Sequence, residues 1–298
     1  MERIHTVAAM HAHIRARHMD GARCALVPTM GALHDGHLAL VREALDQADH
    51  VTVSIFVNPT QFGPNEDLAA YPRTLEADCK TLDALEVDAV FVPAVDEMYP
   101  FADTEGKPAA QPDTLTWVTV DALSNTLCGA HRDGHFRGVT TVVTKLFNAC
   151  RPDVAVFGTK DAQQFVILKR MVKELRFGIE MVGVPTVRED DGLALSSRNR
   201  YLSPRERAQA TVLHDAVATA RDRIEGGTRD PDAVEHAMHN ALAEAPDATV
   251  QYASVVDAHT LQPIDAIAPS QEVLAAVAVF FGDTRLIDNA FATAPAAS

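Results

Sequence analysis

The sequence predicts an α/β protein: a domain built on a parallel sheet, then a smaller α+β domain from residue 188 onward. Three observations carry that expectation. The first is a short apolar run, Cys24-Ala25-Leu26-Val27. A loop follows, then Leu38, Val41, Leu45 and Ala48 at the spacing of one helix face, then an alternating strand at residues 50–57. Strand, helix, strand over this length is a βαβ unit, whose strands are parallel. The second is a repeat of that logic: a strand at 153–157, a glycine turn, a helix at 162–175 and a strand at 179–184. The third is a change of composition, since beyond Pro204 alanine-rich amphipathic helices alternate with short strands.

Taken in order, Thr6 caps a helix over 6–18 that stops near Gly21, and its histidines read as a solvated face. The strand at 50–57 runs into Asn58-Pro59-Thr60-Gln61-Phe62-Gly63-Pro64-Asn65, a loop dense in turn formers. A helix at 75–85 and a strand at 89–93 follow. Residues 101–115, with Gly106-Lys107-Pro108, read as a surface excursion; 116–120 reads as a short strand and 139–150 as a helix. Ser203, Pro204 and Glu206 form a capping-box start for a helix over 205–225. A further helix at 231–245 and strands at 250–256 and 273–279 complete the second domain, and 292–298 reads as a disordered tail. The domain division is 1–187 and 188–298.

Composition narrows the function classes. The 298 residues are 47% hydrophobic and 22% charged, ordinary for a globular protein with a sizeable core. A formal net charge of -15 argues against a general nucleic-acid binder, though it leaves room for a local anion pocket. No window is long and apolar enough to span a membrane, and the histidine- and arginine-bearing N-terminus lacks a signal-peptide core. Four scattered cysteines without a CxxC pair fit reduced thiols, hence a cytoplasmic setting.

The chemistry gathers around Pro28-Thr29-Met30-Gly31-Ala32-Leu33-His34-Asp35-Gly36-His37. A helix N-terminus presents unpaired N–H groups and the positive end of a dipole, which attract phosphate. Gly31 and Gly36 read as positions where a ligand approaches the backbone, and His34 and His37 as two side chains facing it. Ligands of parallel sheets collect at the carboxyl ends of strands, which puts Gln61 near the histidines. Lys160 stands at the end of another strand, where a cation can neutralise phosphate; Asp161 either caps the next helix or meets a ribose. Ser196, Ser197 and Arg198 offer the hydroxyls and guanidinium that grip a triphosphate. The glycine- and arginine-rich loop 128–138 reads either as a polyanion contact or as a charged turn. With no P-loop and no GxGxxG after a strand, phosphates held from three sides suggest transfer at an α-phosphate.

Six ordered blocks carry a family resemblance. The opening stretch resembles the HIGH-type nucleotidyltransferase signature in the form found in the pantoate–β-alanine ligase family. Phe56-Val57-Asn58-Pro59-Thr60-Gln61-Phe62, Tyr71-Pro72-Arg73-Thr74, Gly134-His135-Phe136-Arg137-Gly138-Val139, Phe157-Gly158-Thr159-Lys160-Asp161-Ala162-Gln163-Gln164 and Leu195-Ser196-Ser197-Arg198-Asn199-Arg200-Tyr201-Leu202 are similar to its other blocks, in the same order. The resemblance implies a Rossmann-like nucleotidyltransferase domain with a C-terminal lid. It implies ATP, pantoate and β-alanine as substrates, a pantoyl adenylate, release of pyrophosphate and AMP, and a homodimer.

Residue by residue, the resemblance implies catalytic roles for His34, His37, Lys160 and Arg198, with His37 the proton donor. ATP contacts fall to Met30, Gly31, His34, Gly36, His37, Gly158, Thr159, Lys160, Asp161, Val187, Leu195, Ser196, Ser197 and Arg198. Gln61 and Gln164 hold pantoate, Gln61 also lying near β-alanine, and Asp78 is the choice for a Mg2+ contact, its alternative an exposed helix carboxylate. The family commonly has Glu and Tyr where Thr159 and Ala162 stand, and Glu, Ser and Pro around Cys128, His131 and Asp133. Rival readings are a nucleotidyltransferase acting on a phosphorylated acceptor, a nucleotide-sensing module without turnover, and a tRNA synthetase fragment. The paired glutamines and full block set disfavour the first, and the acidity disfavours the last.

Overall fold

The structure is a computed structural model that describes residues 1–63, 68–69, 71–100 and 114–297. The expected excursion at Gly106-Lys107-Pro108, and all but the last two residues of the 101–115 loop, lie outside the described residues, as do Pro64 and Asn65. The chain forms two compact units: Met1–Ser124, Arg132–Thr159 and Ile167–Pro185 make the first, and Asn125–His131, Lys160–Val166 and Thr186–Ser298 the second.

The first unit holds β1 (Glu2–Ile4), α1 (Val7–Met19), β2 (Cys24–Thr29), α2 (Asp35–Gln47), β3 (His50–Ile55), α3 (Leu75–Ala84), β4 (Ala89–Phe91), α4 (Val95–Met98), α5 (His135–Cys150) and β5 (Val154–Gly158). To these it adds the later turns of α6 (Ala162–Glu174), and β6 (Glu180–Val184). Its six strands pair in the order β1-β4-β3-β2-β5-β6, all parallel, which is the Rossmann-like sheet expected. The central strands are near-continuous apolar runs because helices cover both faces. Cys24 to Val27, Val51, Val53, Val154 and Val156 are all buried.

Strand order reverses between β2 and β5, the switch point where ligands enter such sheets. There β2 pairs with β5 at Ala25 and Leu26 alone, while its pairing with β3 continues to Thr29. Pro28 lies beyond that limit and has no N–H to extend a ladder. The two strands part where the loops begin.

Several expectations change. β1 is three residues long, too short for an alternation to register. Residues 116–120 form no strand. Their backbone bonds instead to threonine hydroxyls of α5, Val118 N–H donating to Thr141 Oγ1 at 3.0 Å and its carbonyl accepting from Thr140 Oγ1 at 2.6 Å. α5 begins at His135, a turn earlier than expected. The helix-1 histidines are not simply a solvated face, because they dock α1. His11 Nε2 lies 3.0 Å from the Asn148 carbonyl, His13 Nε2 lies 3.0 Å from His50 Nε2, and His18 Nε2 is 3.5 Å from Asp153.

The second unit contains the first turns of α6, α7 (Pro204–Gln209), α8 (Val212–Glu225), α9 (Pro231–Leu242), β7 (Ala248–Asp257), β8 (Glu272–Phe281) and β9 (Thr284–Thr293). The strands form an antiparallel sheet in the order β7-β8-β9. Leu213, Val217, Ile224, Val234 and Met238 of the helices share a core with Val255, Val273, Val277 and Phe281 of the sheet. The single helix expected over 205–225 is two, because Leu213 N–H bonds to the Ala210 carbonyl, a tightened turn that breaks the ladder. Residues 292 and 293 close β9, and Ala292 and Ala294 are buried, so the tail is ordered at least that far.

The α1 contact has a pH consequence. His13 and His50 form a chain flanked by carboxylates, with His13 Nδ1 3.0 Å from Glu2 and His50 Nδ1 3.7 Å from Asp88. Burial, reinforced by His13 and opposed by Asp88, holds the His50 imidazole below its ordinary 6.5. The unfolded chain therefore binds a proton more readily than the folded one. Stability is full above pH 6.5 and falls as the pH drops through that value toward the folded-state pKa. Urea melts from pH 8 to about pH 5 should show this decline, and His50→Gln should flatten part of it.

Candidate active site

In the first unit the site grows from the loop between β2 and α2. Gly31 has φ +81°, in the left-handed region, and a Cβ there would lie 3.1 Å from both Asp78 Oδ2 and Ile55 Cγ2. The turn and the packing beneath it both call for glycine at this position. Asp78, on α3, is buried; its carboxylate accepts the Ala32 N–H at 2.9 Å and the Leu33 N–H at 3.0 Å, and Thr74 Oγ1 donates to the same group. This pins a loop in which Ala32 also takes a positive φ of 52°. The alternative reading of Asp78 as an exposed carboxylate is corrected: the side chain is an internal clamp. It is also a poor fit to a Mg2+ contact, since the side chain is buried and both oxygens already serve the loop.

The loop ends in a capping box made of histidines. His34 is the N-cap residue of α2 and His37 is the third helical residue. Gly36 N–H donates to His34 Nδ1 at 3.2 Å, and His34 N–H donates to His37 Nδ1 at 3.3 Å. Each Nδ1 is thus an acceptor, which places the proton of each neutral ring on Nε2. The rings lie 4.1 Å apart between centroids, at 43°. Two N–H donors accompany the positive end of the α2 dipole, a combination suited to anionic oxygen.

Beside this loop, the turn after β3 is built around Asn58, a buried side chain the sequence reading left unassigned. Its Nδ2 donates to Gln61 Oε1 at 3.1 Å and to the Gly138 carbonyl at 3.2 Å. Its Oδ1 accepts from Thr60 Oγ1 at 3.0 Å and from the Tyr99 hydroxyl at 2.7 Å. Burial pushes the Tyr99 hydroxyl up to about 12, so it stays a donor. Gln61 then reaches Met30 Sδ through its Nε2 at 2.9 Å. The two loops do sit side by side, as the parallel sheet required.

α5 supports the same turn. His135 Nε2 accepts from Arg132 at 2.9 Å, so its Nδ1–H donates to the Gln61 carbonyl at 2.8 Å. A Cβ on Gly138 would stand 2.3 Å from the Thr60 carbonyl oxygen, closer than any side chain tolerates. Arg137 stacks on Trp117 at 4.4 Å. Much of the basic 132–138 segment therefore serves packing. At the end of β5, a Cβ on Gly158 would lie an ordinary 3.8 Å from Leu40 of α2, and Thr159 Oγ1 donates to the Val184 carbonyl at 3.2 Å.

The second unit carries the remaining residues. Lys160 and Asp161 occupy a short 3-10 turn that leads directly into α6. Asn289 donates to the Lys160 carbonyl at 2.7 Å, fixing the backbone beneath it. Asp288 is buried and takes a bidentate pair from Arg188 at 2.6 and 2.9 Å. Val187 and Leu195 are joined by a backbone bond of 2.9 Å, closing the open end of a hairpin from which the chain passes directly to Ser196, Ser197 and Arg198. Ser196 caps the next turn by accepting the Arg198 N–H at 3.2 Å, and Asn199 ties that turn to Glu189 and the Ala194 carbonyl. Arg207, paired with Asp191 and Glu189 at 2.8 Å each, braces the hairpin; those partners raise its pKa further. Gln164 is half-buried on α6, while its neighbour Gln163 is buried and donates to the Thr126 carbonyl at 2.7 Å. Cys128 and His131 also pack within this unit, Cys128 Sγ 3.1 Å from the Tyr252 hydroxyl and His131 stacked on the Tyr252 ring.

The family model for pantoate–beta-alanine ligase matches residues 2–291. The chain belongs to that family. The pantothenate synthetase of Salinibacter ruber is 66% identical over 297 residues, covering 100% of this chain and 99% of its own. That of Moorella thermoacetica is 51% identical over 289 residues, covering 97% and 98%. Among solved structures, pantothenate synthetase from Thermus thermophilus superposes with a TM-score of 0.86 at 43% identity, covering 97% of this chain and 99% of that one. Pantoate-beta-alanine ligase from Francisella tularensis, complexed with beta-gamma ATP and beta-alanine, gives 0.75 at 31% identity and 97% coverage of both. This is an enzyme of the ligase class.

For a pantoate–beta-alanine ligase, the residues sequence reasoning passed over are the supports: Asn58, Tyr99, Gly138, His135 and Asp288. Asn58 and Gly138 sit inside blocks already recognised, but side chains that bond inward leave no periodic signal. Two outcomes follow. Asp78→Asn puts an amide N–H against backbone donors and should cost about 1–3 kcal/mol. Gly138→Ala should cost a similar amount through overpacking. Both should appear as lowered midpoints in urea, at unchanged m-value.

Proposed function

We propose that this ligase condenses pantoate with β-alanine through a pantoyl adenylate. In the first step a pantoate carboxylate oxygen attacks the α-phosphorus of ATP and the bond to pyrophosphate breaks. In the second the β-alanine amine attacks the acyl carbon, loses a proton and expels AMP, leaving pantothenate. The observation that carries this reading is the histidine capping box: two imidazoles with their Nε2 protons set at a helix N-terminus, beside a glutamine held by Asn58. The Francisella complex with ATP and beta-alanine adds support from a relative.

In this reading His34 and His37 donate to phosphate oxygens as charge builds in the transition state, with His37 the proton donor. Lys160 and Arg198 neutralise that charge, and Ser196 and Ser197 add hydroxyl donors. Gly158 and Asp161 take the ribose, Val187 and Leu195 border the adenine, and Met30, Gly31, Gly36 and Thr159 complete the nucleotide contacts. Gln61 and Gln164 bind pantoate through neutral amides, suited to a small hydroxy acid between apolar walls. Residues 1–187 form the catalytic domain and 188–298 the lid. Mg2+ comes with the nucleotide phosphates rather than on Asp78. The enzyme works as a cytoplasmic homodimer in pantothenate biosynthesis.

The deciding experiment is exchange of labelled pyrophosphate into ATP, which should require pantoate and no β-alanine, with AMP and pantothenate appearing together once β-alanine is added. Exchange that ignores pantoate would overturn the reading. The capping box sharpens the mutational test. His37→Gln keeps an acceptor for the His34 N–H, so it should fold like the parent while adenylate formation drops at least ~100-fold, about 2.7 kcal/mol of transition-state stabilisation. His37→Ala should lose the same activity and also some stability.

A further inference from the structure

We propose that His18, Cys24 and Asp153 form a binding site for a transition-metal ion of the Zn2+ type, at the end of the parallel sheet opposite the candidate active site. Among the described residues these three are the one group whose imidazole, thiol and carboxylate donor atoms gather, all within 4.8 Å of one another. One thiol sulfur, one imidazole nitrogen and one carboxylate oxygen match a zinc donor set, with a fourth position left for water. Tetrahedral ligands at zinc bond lengths stand about 3–4 Å apart. His18 Nε2 and Asp153 Oδ2 already lie at 3.5 Å.

The backbone holds two of the three donors in place. Cys24 opens β2, its N–H donates to Asp153 Oδ2 at 2.8 Å, and the Asp153 N–H returns a bond to the Cys24 carbonyl at 2.8 Å. Asp153 also receives the Glu180 N–H through its carbonyl at 2.9 Å, which ties it to β6. His18 stands in the last turn of α1, six residues before Cys24, and its side chain is about one-third exposed, as is needed for an ion to enter. The Cys24 thiol itself is fully buried and has only a long contact, 3.6 Å, to the Ala22 carbonyl.

The carboxylates of Asp153, Asp49 and Asp88 act on Cys24 in the sense that favours a cation, and Arg17 opposes them. Binding exchanges the thiol proton for the metal, forming an S–metal bond and releasing one proton to solvent. The bound ion would staple the end of α1 to the starts of β2 and β5.

The test uses the full-length, metal-stripped protein titrated with Co2+ in the absence of nucleotide. The expected result is one equivalent bound, with thiolate-to-cobalt charge-transfer absorption, displacement by Zn2+, and a rise in Tm with metal concentration. Cys24→Ser should abolish the absorption. Because Cys24 is buried, His18→Gln serves as the second variant: it should keep the metal-free Tm and weaken Co2+ binding at least ~10-fold, about 1.4 kcal/mol. Absence of the absorption in the parent, its persistence in Cys24→Ser, or unchanged affinity in His18→Gln would each overturn the proposal.

Discussion

One buried carboxylate governs the geometry of the first unit's site. Asp78 accepts two consecutive backbone N–H groups of the β2–α2 loop, and in doing so fixes a stretch with two successive positive φ angles. A charged acceptor is strong enough to hold such a conformation where a neutral one would yield. Everything downstream inherits that choice. The N-cap residue is His34 because the loop ends there, and the third helical position is His37. Met30, just upstream, is left where Gln61 can reach it. A carboxylate buried beneath the loop therefore decides where His34 and His37 stand.

The second unit uses the same strategy with a different pair. Arg188 and Asp288 fix the base of a hairpin, and Asn289, next to Asp288, fixes the backbone of Lys160. The Ser196-Ser197-Arg198 turn leaves that same end of the hairpin and is capped locally by Ser196. In both units, side chains suited to phosphate stand on short irregular segments, and those segments are tied down by buried ionic or amide groups. This is what preorganisation requires: the donors stay set while the charge they meet is still developing.

The parallel sheet, the histidine loop and the neighbouring Gln61 loop were legible in the sequence because each rests on a local pattern. Apolar runs of the right length, glycine-bearing turns and helical spacing are visible without tertiary context. What escaped depends on distant partners. The stretch 116–120 has strand composition, yet its backbone is satisfied by two threonines more than twenty residues later. Asp78 read as a Mg2+ contact or an exposed helix carboxylate, not as a loop clamp, since its loop partners precede it by more than forty residues. The third strand of the second unit did leave a signal, the two-residue Gly282-Asp283 turn after the apolar run of β8. The role of Gly138 is a matter of contact with a carbonyl far away in sequence, which no spacing rule encodes.

The histidine capping box gives two rings a structural duty. The Nδ1 atoms of His34 and His37 close the start of a helix, which leaves the proton of each neutral ring on Nε2. Helix capping is ordinarily done better by serine or aspartate at the first position and by glutamate at the fourth. Selection for thermal robustness alone would therefore drift toward those residues here, and would trade the imidazoles away without any sign of damage in the fold. Stabilising designs built on this scaffold have to exempt both positions if the two imidazoles are to be kept.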